Sequence, residues 1–229
     1  MQKKQYKTCA IIAAAGKSSR MNLRDGLSKQ FIETGGKTVI ERTVTVFNSC
    51  GYIDQIIIVA RREDIEKIRD IVESAKLYKV TDIIGGGETR LESVTNAVDK
   101  VPDYIDFIAI HDGARCFISL SDIEKVLLKA FETKAAAAGT KITDTIKLTG
   151  EDNNIIKTVD RDFLWAVQTP QIFEKKLYLN ALRNCKENLT DDCAVVENYG
   201  YPVSIVECSK YNIKITDTQD LKFLEGQKI

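Results

Sequence analysis

Along the chain, short apolar runs alternate with segments whose apolar residues recur every third or fourth position. "TCAIIAA" (Thr8–Ala14), "QIIIVA" (Gln55–Ala60), "KVTDII" (Lys79–Ile84), "DFIAIHD" (Asp106–Asp112) and "VSIVEC" (Val203–Cys208) read as strands. Several are apolar at consecutive positions, the pattern of central strands covered on both faces. The stretches between them carry single stripes: Ile65, Ile68, Ile71 and Val72; then Leu91, Val94, Ala97, Val98 and Val101; then Ile123, Val126, Leu127 and Ala130. Residues three and four apart share one side of a helix, so each set predicts an amphipathic helix. Strand–helix alternation with short connections predicts an α/β fold, a doubly wound, mostly parallel, Rossmann-like sheet. Ligands of such sheets collect at the carboxyl ends of the strands.

One segment breaks the rhythm. From Ala135 to Gln168 apolar and polar residues alternate around a "TGEDNN" turn, which predicts a β-hairpin arm at about residues 137–168 inserted in the α/β domain. A two-stranded arm is marginal by itself, so it is expected to pack on a partner subunit. No Pro/Gly/Ser-rich linker and no internal repeat divides the chain, which is expected to form a single domain over residues 1–229.

Composition narrows the partners. Lys plus Arg and Asp plus Glu both number 33, so the basic excess of a nucleic-acid binder is missing and none is expected as a partner. No run approaches the roughly 18 apolar residues of a membrane span, and the N-terminal apolar run is short and meets a Gly-Lys turn rather than a signal-peptide cleavage site. Cys9, Cys50, Cys116, Cys185, Cys193 and Cys208 form no C-x-x-C pair and read as scattered reduced thiols of a cytoplasmic protein. His111 is the single histidine, which excludes multi-histidine metal sites.

The polar signatures follow the strands. "AIIAAAGKSSRMN" ends an apolar run in Gly-Lys-Ser. A Walker loop requires glycine five residues before Gly16, where Ile11 stands, and the dinucleotide fingerprint fails at Ser18 and Met21. What remains is a small-residue turn, Ala14-Ala15-Gly16, flanked by Lys17 and Arg20. It is either a phosphate-approaching turn or a plain strand-to-helix connection with solvated cations. "SKQF" adds Lys29; two cations near one such loop suit a triphosphate, although a lone lysine reads equally as surface. "GGGETRLESV" sets Gly85–Gly87 before a helix that carries Arg90 and Ser93. "IAIHDGAR" puts Asp112 at a strand end, either as a Mg²⁺ ligand or as a turn cap, with Arg115 nearby. His111 reads better as a core residue than as a catalyst. "LTDDCAVVE" contains Thr190-Asp191-Asp192, which also reads as a helix cap.

Taken in order, "AAAGKSSRM", "SKQF", "GGGETRLESV", "HDGAR", "TVDRDFLWAVQTPQ", "TDD" and "NIKIT" resemble the 2-C-methyl-D-erythritol 4-phosphate cytidylyltransferase family from about Thr8 to Leu221. The resemblance implies a nucleotidyltransferase fold, and a reaction in which a sugar-alcohol phosphate attacks the α-phosphorus of CTP and pyrophosphate leaves, with Mg²⁺ as cofactor. It implies that Arg20, Lys29, Arg161 and Lys214 are catalytic. Ala14, Ala15, Gly16, Gly86, Gly87 and Ser93 would bind the nucleotide. Asp112, Arg115, Thr145, Arg161, Thr190 and Lys214 would bind the sugar phosphate, with Asp112 also at the metal. It further implies a homodimer in which the arm, bearing Thr145 and Arg161, reaches the neighbour's site. Departures from the family pattern are Ser18 for Gly, Ser28 for Pro, Gly113 for Ala, Cys116 for Pro and Cys193 for Ala; none removes a charge. The related ribitol-5-phosphate cytidylyltransferases share much of this set and form the alternative. A non-catalytic nucleotide-binding protein is disfavoured by the retained cations, and a dehydrogenase by the missing glycine fingerprint.

Overall fold

Consecutive isoleucines decide the centre of the fold. A computed structural model describes residues 6–16, 28–185, 189–217 and 220. Its strands are β1 (Thr8–Ala13), β2 (Glu33–Thr34), β3 (Lys37–Thr38), β4 (Gln55–Ala60), β5 (Val80–Gly85), β6 (Phe107–Asp112), β7 (Ala135–Lys141), β8 (Ile146–Thr149), β9 (Ile155–Val159), β10 (Trp165–Glu174) and β11 (Ser204–Glu207). Its helices are α1 (Val39–Ser49), α2 (Ile65–Ser74), α3 (Arg90–Val98), α4 (Leu120–Thr133), α5 (Lys175–Asn184) and α6 (Asp192–Asn198). Seven strands form one sheet in the order β11-β7-β10-β6-β1-β4-β5. Every neighbouring pair is parallel except the two made by β10. The predicted mostly parallel α/β sheet is therefore present, with one reversed strand inside it.

Because successive strand residues face opposite sides, "IIIV" must be covered twice. Ala10, Ile12, Ile56 and Ile58 meet α1, α2 and α4 on one face. Cys9, Ile11, Ile57 and Val59 meet α3, α5 and α6 on the other. Each isoleucine in this set is fully buried, worth roughly 1.5–3 kcal/mol apiece. Four of these helices start on side-chain caps: Thr38 for α1, Thr89 for α3, Ser119 for α4 and Asp191 for α6. The cap reading of the Thr-Asp-Asp run is thus met by Asp191, which accepts from the Ala194 N–H at 3.0 Å.

The arm is shorter than the segment at about 137–168 suggests. β7 and β10 belong to the main sheet, leaving the β8–β9 hairpin as the inserted piece. The reason lies in "AAAAG": Ala135–Ala138 are all fully buried, and Gly139 is so tightly enclosed that a Cβ there would lie 2.9 Å from Ile205. Small residues let β7 sit between β10 and β11 under α4, a packing that alternation alone does not reveal. On the hairpin, by contrast, Leu148, Ile155 and Ile156 are exposed. Among the described residues, no helix is long and apolar enough to cross a membrane.

Candidate active site

Register places three strand ends side by side. Ala13 at the end of β1 pairs with Asp112 at the end of β6 and with Val59 near the end of β4. Beyond these ends the chain turns immediately. The Ala14 N–H donates to the Val59 carbonyl, the Gly113 N–H to the Ala13 carbonyl and the Gly86 N–H to the Ala60 carbonyl. The result is a cavity of about 370 Å³ at the carboxyl edge of the sheet, lined on one side by Ala15, Gly16 and Lys29 and on the other by Gly87, Ser93 and Arg90, with Asp112 and Lys214 at its base.

The glycine side is fixed by close approach. A Cβ on Gly86 would lie 2.4 Å from the Ala15 Cβ and 2.9 Å from the Ser93 hydroxyl, and one on Gly87 would lie 2.4 Å from the Glu92 side chain. Ser93 accepts from the Gly87 N–H at 3.0 Å and donates to the Thr89 carbonyl at 2.8 Å. Thr89 caps the Glu92 N–H while the Glu92 carboxylate accepts from the Glu88 N–H, one residue before the cap, a pattern close to a capping box. The turn thus opens onto a helix N-terminus, where backbone N–H groups favour anions and polar base edges. Gly86→Ala forces the two cavity walls apart and is expected to raise the KM for the nucleotide about tenfold, the cost of roughly one misplaced contact, with kcat much less affected; steady-state kinetics checks it.

Charge gathers at the base. Lys214 Nζ stands 2.9 Å from Asp112 Oδ2, Arg115 Nε 3.4 Å from the same oxygen, and Arg90 Nε 3.7 Å from Oδ1. Burial alone would raise the Asp112 carboxyl, but the cations of Lys214, Arg90 and Arg115 outweigh it and hold it at about 2. Asp112 is therefore ionised throughout the physiological range. Lys29 is buried in a 3-10 turn (Lys29–Phe31) and donates to the Ile215 carbonyl at 2.8 Å. That bond ties it to the segment carrying Lys214 and Thr216, which also line the cavity.

His111 faces away from this chemistry. It is fully buried against Phe47. Thr169 Oγ1 accepts from the Asp112 N–H at 3.0 Å and lies 3.1 Å from His111 Nδ1, while His111 Nε2 lies 3.2 Å from the Arg115 carbonyl. A carbonyl can only accept, so Nε2 carries the proton and Nδ1 accepts from Thr169. The neutral ring thereby braces the Asp112–Arg115 turn. Burial lowers its pKa to about 4, so the imidazole is expected to stay neutral until well below pH 6. Since the unfolded chain takes up that proton near pH 6.5, acidification from there to about pH 4 costs up to about 3 kcal/mol of stability, regained as pH rises. An NMR titration of this single histidine checks the value directly. Cys116 is likewise inert, its thiol pushed by burial to about 11.

Comparison with known proteins then decides the family. The family profile described as 2-C-methyl-D-erythritol 4-phosphate cytidylyltransferase matches residues 8–226. The protein of that name from Caldanaerobacter subterraneus is 40% identical over 94% of this chain and 96% of its own length. The one from Clostridium tetani is 42% identical over 97% and 90%. The chain belongs to the 2-C-methyl-D-erythritol 4-phosphate cytidylyltransferase family. A crystal structure of 4-diphosphocytidyl-2C-methyl-D-erythritol synthase from Anaerococcus prevotii superposes with a TM-score of 0.85 at 31% identity, covering 96% of this chain and 94% of that one. The cytidylyltransferase of this family from Thermus thermophilus gives 0.76 at 28%, covering 94% and 96%. The chain is accordingly a nucleotidyltransferase.

Within this cytidylyltransferase chain, the residues suggested by sequence divide into five groups. Ala15, Gly16, Gly87, Ser93, Lys29, Asp112 and Lys214 line one cavity. Gly86 stands just behind Ala15 and Ser93. Ala14 is buried in the core, and Arg115 is turned to Asp112 and to the Asn212 carbonyl at 2.8 Å, bracing the base of the site rather than lining it. Thr145, Arg161 and Thr190 are exposed and lie off the cavity of their own chain; Arg161 is held by the Thr143 carbonyl. Arg20 and Ser18 lie outside the described residues. Gln30, Glu88, Thr89 and Thr216 also line the cavity; they stand inside the quoted motifs, beside the lysines and glycines that marked those motifs, and carry no signal of their own.

Proposed function

We propose that this chain joins CTP to 2-C-methyl-D-erythritol 4-phosphate within isoprenoid biosynthesis, forming 4-diphosphocytidyl-2-C-methyl-D-erythritol and pyrophosphate. A phosphate oxygen of the acceptor attacks the α-phosphorus of CTP. The new P–O bond forms as the α–β bond breaks, and the bonding pair leaves with pyrophosphate. The observation that carries this reading is the cavity's polar lining: cations and backbone N–H groups around one ionised aspartate, with His111 turned into the core. An acceptor phosphate is already anionic at neutral pH, so no general base is required. The work left to the protein is positioning and charge stabilisation.

Lys29 and Arg20 are assigned to the triphosphate. Gly86, Gly87 and Ser93, with Ala15 and Gly16, hold the cytidine end, where contact between the two walls leaves little room for a purine. Lys214 and Asp112 meet the acceptor phosphate. Arg161, Thr145 and Thr190 are assigned to the acceptor, with the arm that bears Thr145 and Arg161 serving the neighbouring site of a homodimer.

Asp112 also suits Mg²⁺, which takes one or two carboxylates along with phosphate oxygens. Its Oδ1 has Arg90 at 3.7 Å, beyond hydrogen-bond reach, while Oδ2 is already held by Lys214. Bound there with CTP, the ion supplies neutralisation of charge on the phosphates. Among the described residues there is no cluster of three metal-binding side chains, which suits an ion held largely by its nucleotide. The reading also places the chain in the cytoplasm, as a single domain.

Pyrophosphate release is the deciding assay. With CTP, turnover is expected with methylerythritol phosphate and far less with ribitol 5-phosphate; ATP, GTP and UTP are expected to be poor donors. Preference for ribitol 5-phosphate would overturn the substrate assignment.

A further inference from the structure

Asp192 is fully buried, an expensive position for a carboxylate unless it is paired. It has two partners. The Tyr178 hydroxyl donates to Oδ1 at 2.6 Å, and Arg90 Nη2 stands 2.7 Å from Oδ2. Its backbone is fastened too: Gln171 Oε1 on β10 accepts from the N–H groups of Asp192 and Cys193 at 3.0 and 3.1 Å, and Gln171 Nε2 donates to Asp191 at 2.9 Å. Asp192 is thus tied to β10 through its backbone and to α5 through its carboxylate.

Arg90, at the first position of α3, lies between two carboxylates. It is in direct contact with Asp192 and makes a looser ion pair with Asp112, its Nε 3.7 Å from Oδ1 and beyond hydrogen-bond reach. The other Asp112 oxygen already faces Lys214 and Arg115. Were Arg90 to close from 3.7 Å to hydrogen-bond distance on Oδ1, both oxygens would be tightly held by cations, and an incoming ion would have to break a close contact to reach either.

We propose that Asp192 is a positioning residue that holds the Arg90 guanidinium to itself, at a loose 3.7 Å from Asp112 Oδ1, and so leaves that oxygen without a hydrogen bond from Arg90 and accessible to a divalent cation. The proposal rests on the reading of Asp112 as the cation's ligand. It also gives the second aspartate of the Thr-Asp-Asp run a task of its own, beyond the helix cap supplied by Asp191. Among the described residues, removing Asp192 leaves Arg90 with Asp112 as its ion-pair partner.

The test is calorimetric titration of CTP into the full chain, once with Mg²⁺ and once with EDTA, giving the gain in CTP affinity that the cation confers. Asp192→Asn is expected to shrink that gain about tenfold, the size typical of losing an outer partner of a metal ligand, with the EDTA affinity little changed. The double variant Asp192→Asn/Arg90→Gln has no guanidinium at position 90 to close on Asp112 Oδ1 and is expected to recover most of the gain, a reversal that a merely structural role would not produce. Should Asp192→Asn fail to fold, Tyr178→Phe loosens the same carboxylate with every charge in place and is expected to give a smaller loss in the same direction. A folded Asp192→Asn that keeps the full gain overturns the proposal. So does a double variant as impaired as the single, or, where Tyr178→Phe stands in, an unchanged gain. Asp112→Asn separates the two levels: if it keeps the gain, the ligand reading itself falls and the proposal falls with it.

Discussion

Lys29→Ala is expected to lower kcat about 10²- to 10³-fold, the usual cost of removing one preorganised group that stabilises transition-state charge. The lysine is held rather than merely present. Its stem is buried, and its ammonium group donates to the Ile215 carbonyl, beside the backbone that carries Lys214 and Thr216. A charge fixed in this way has little reorganisation left to undergo when charge builds on the phosphates. The substitution leaves the fold in place, because the Ile215 N–H still donates to the Ala114 carbonyl at 2.9 Å and the Ile215 side chain stays in a cluster with Val39, Ala114 and Cys116. Thermal unfolding alongside steady-state kinetics separates the two effects. Near wild-type kcat in the folded variant would remove Lys29 from the triphosphate site.

Mixing two dead enzymes is expected to produce a live one. Arg20→Ala chains lack a triphosphate contact and Arg161→Ala chains lack an acceptor contact on the arm. If arms serve the neighbouring site, a mixed dimer contains one site with both defects and one with neither. Random exchange between equal amounts makes half the dimers mixed, so activity should recover to about a quarter of wild type in the simplest case, one intact site of two in half the dimers. The exposure of Thr145 and Arg161, off the cavity of their own chain, motivates the experiment. Absence of recovery, with subunit exchange demonstrated by a tag, would mean that each site is built from one chain.

The strands that build the cavity were legible because burial on both faces leaves a mark that needs no partner to interpret. "QIIIVA" has no polar interruption over Ile56–Ala60, and its predicted and observed bounds coincide. β7 was not legible as a sheet strand, since four alanines carry neither the bulk nor the alternation by which strands announce themselves. Only the company of α4, β10 and β11 makes small residues necessary there. The site shows the same division. Lys29, Asp112 and Lys214 stood out as charges at strand or loop ends. Arg115 looked no different from them along the chain, yet its bond to the Asn212 carbonyl makes it a brace. Asp192 reads as half of a cap, and its pairing with Arg90, about a hundred residues earlier in the chain, is a product of the fold alone.

The single reversed strand has a consequence for how such an enzyme can change. β7 runs with the parallel strands and β10 returns against them, so the connection between the two springs from the very rim where the cavity opens. Material can be lengthened, trimmed or rewritten there without altering the register of any sheet pair. On the proposed reading, the part of the enzyme that chooses its acceptor is therefore hung from the scaffold like an exchangeable attachment, while the nucleotide half is woven into the frame. Acceptor preference can drift between related sugar-alcohol phosphates while the grip on CTP stays constant.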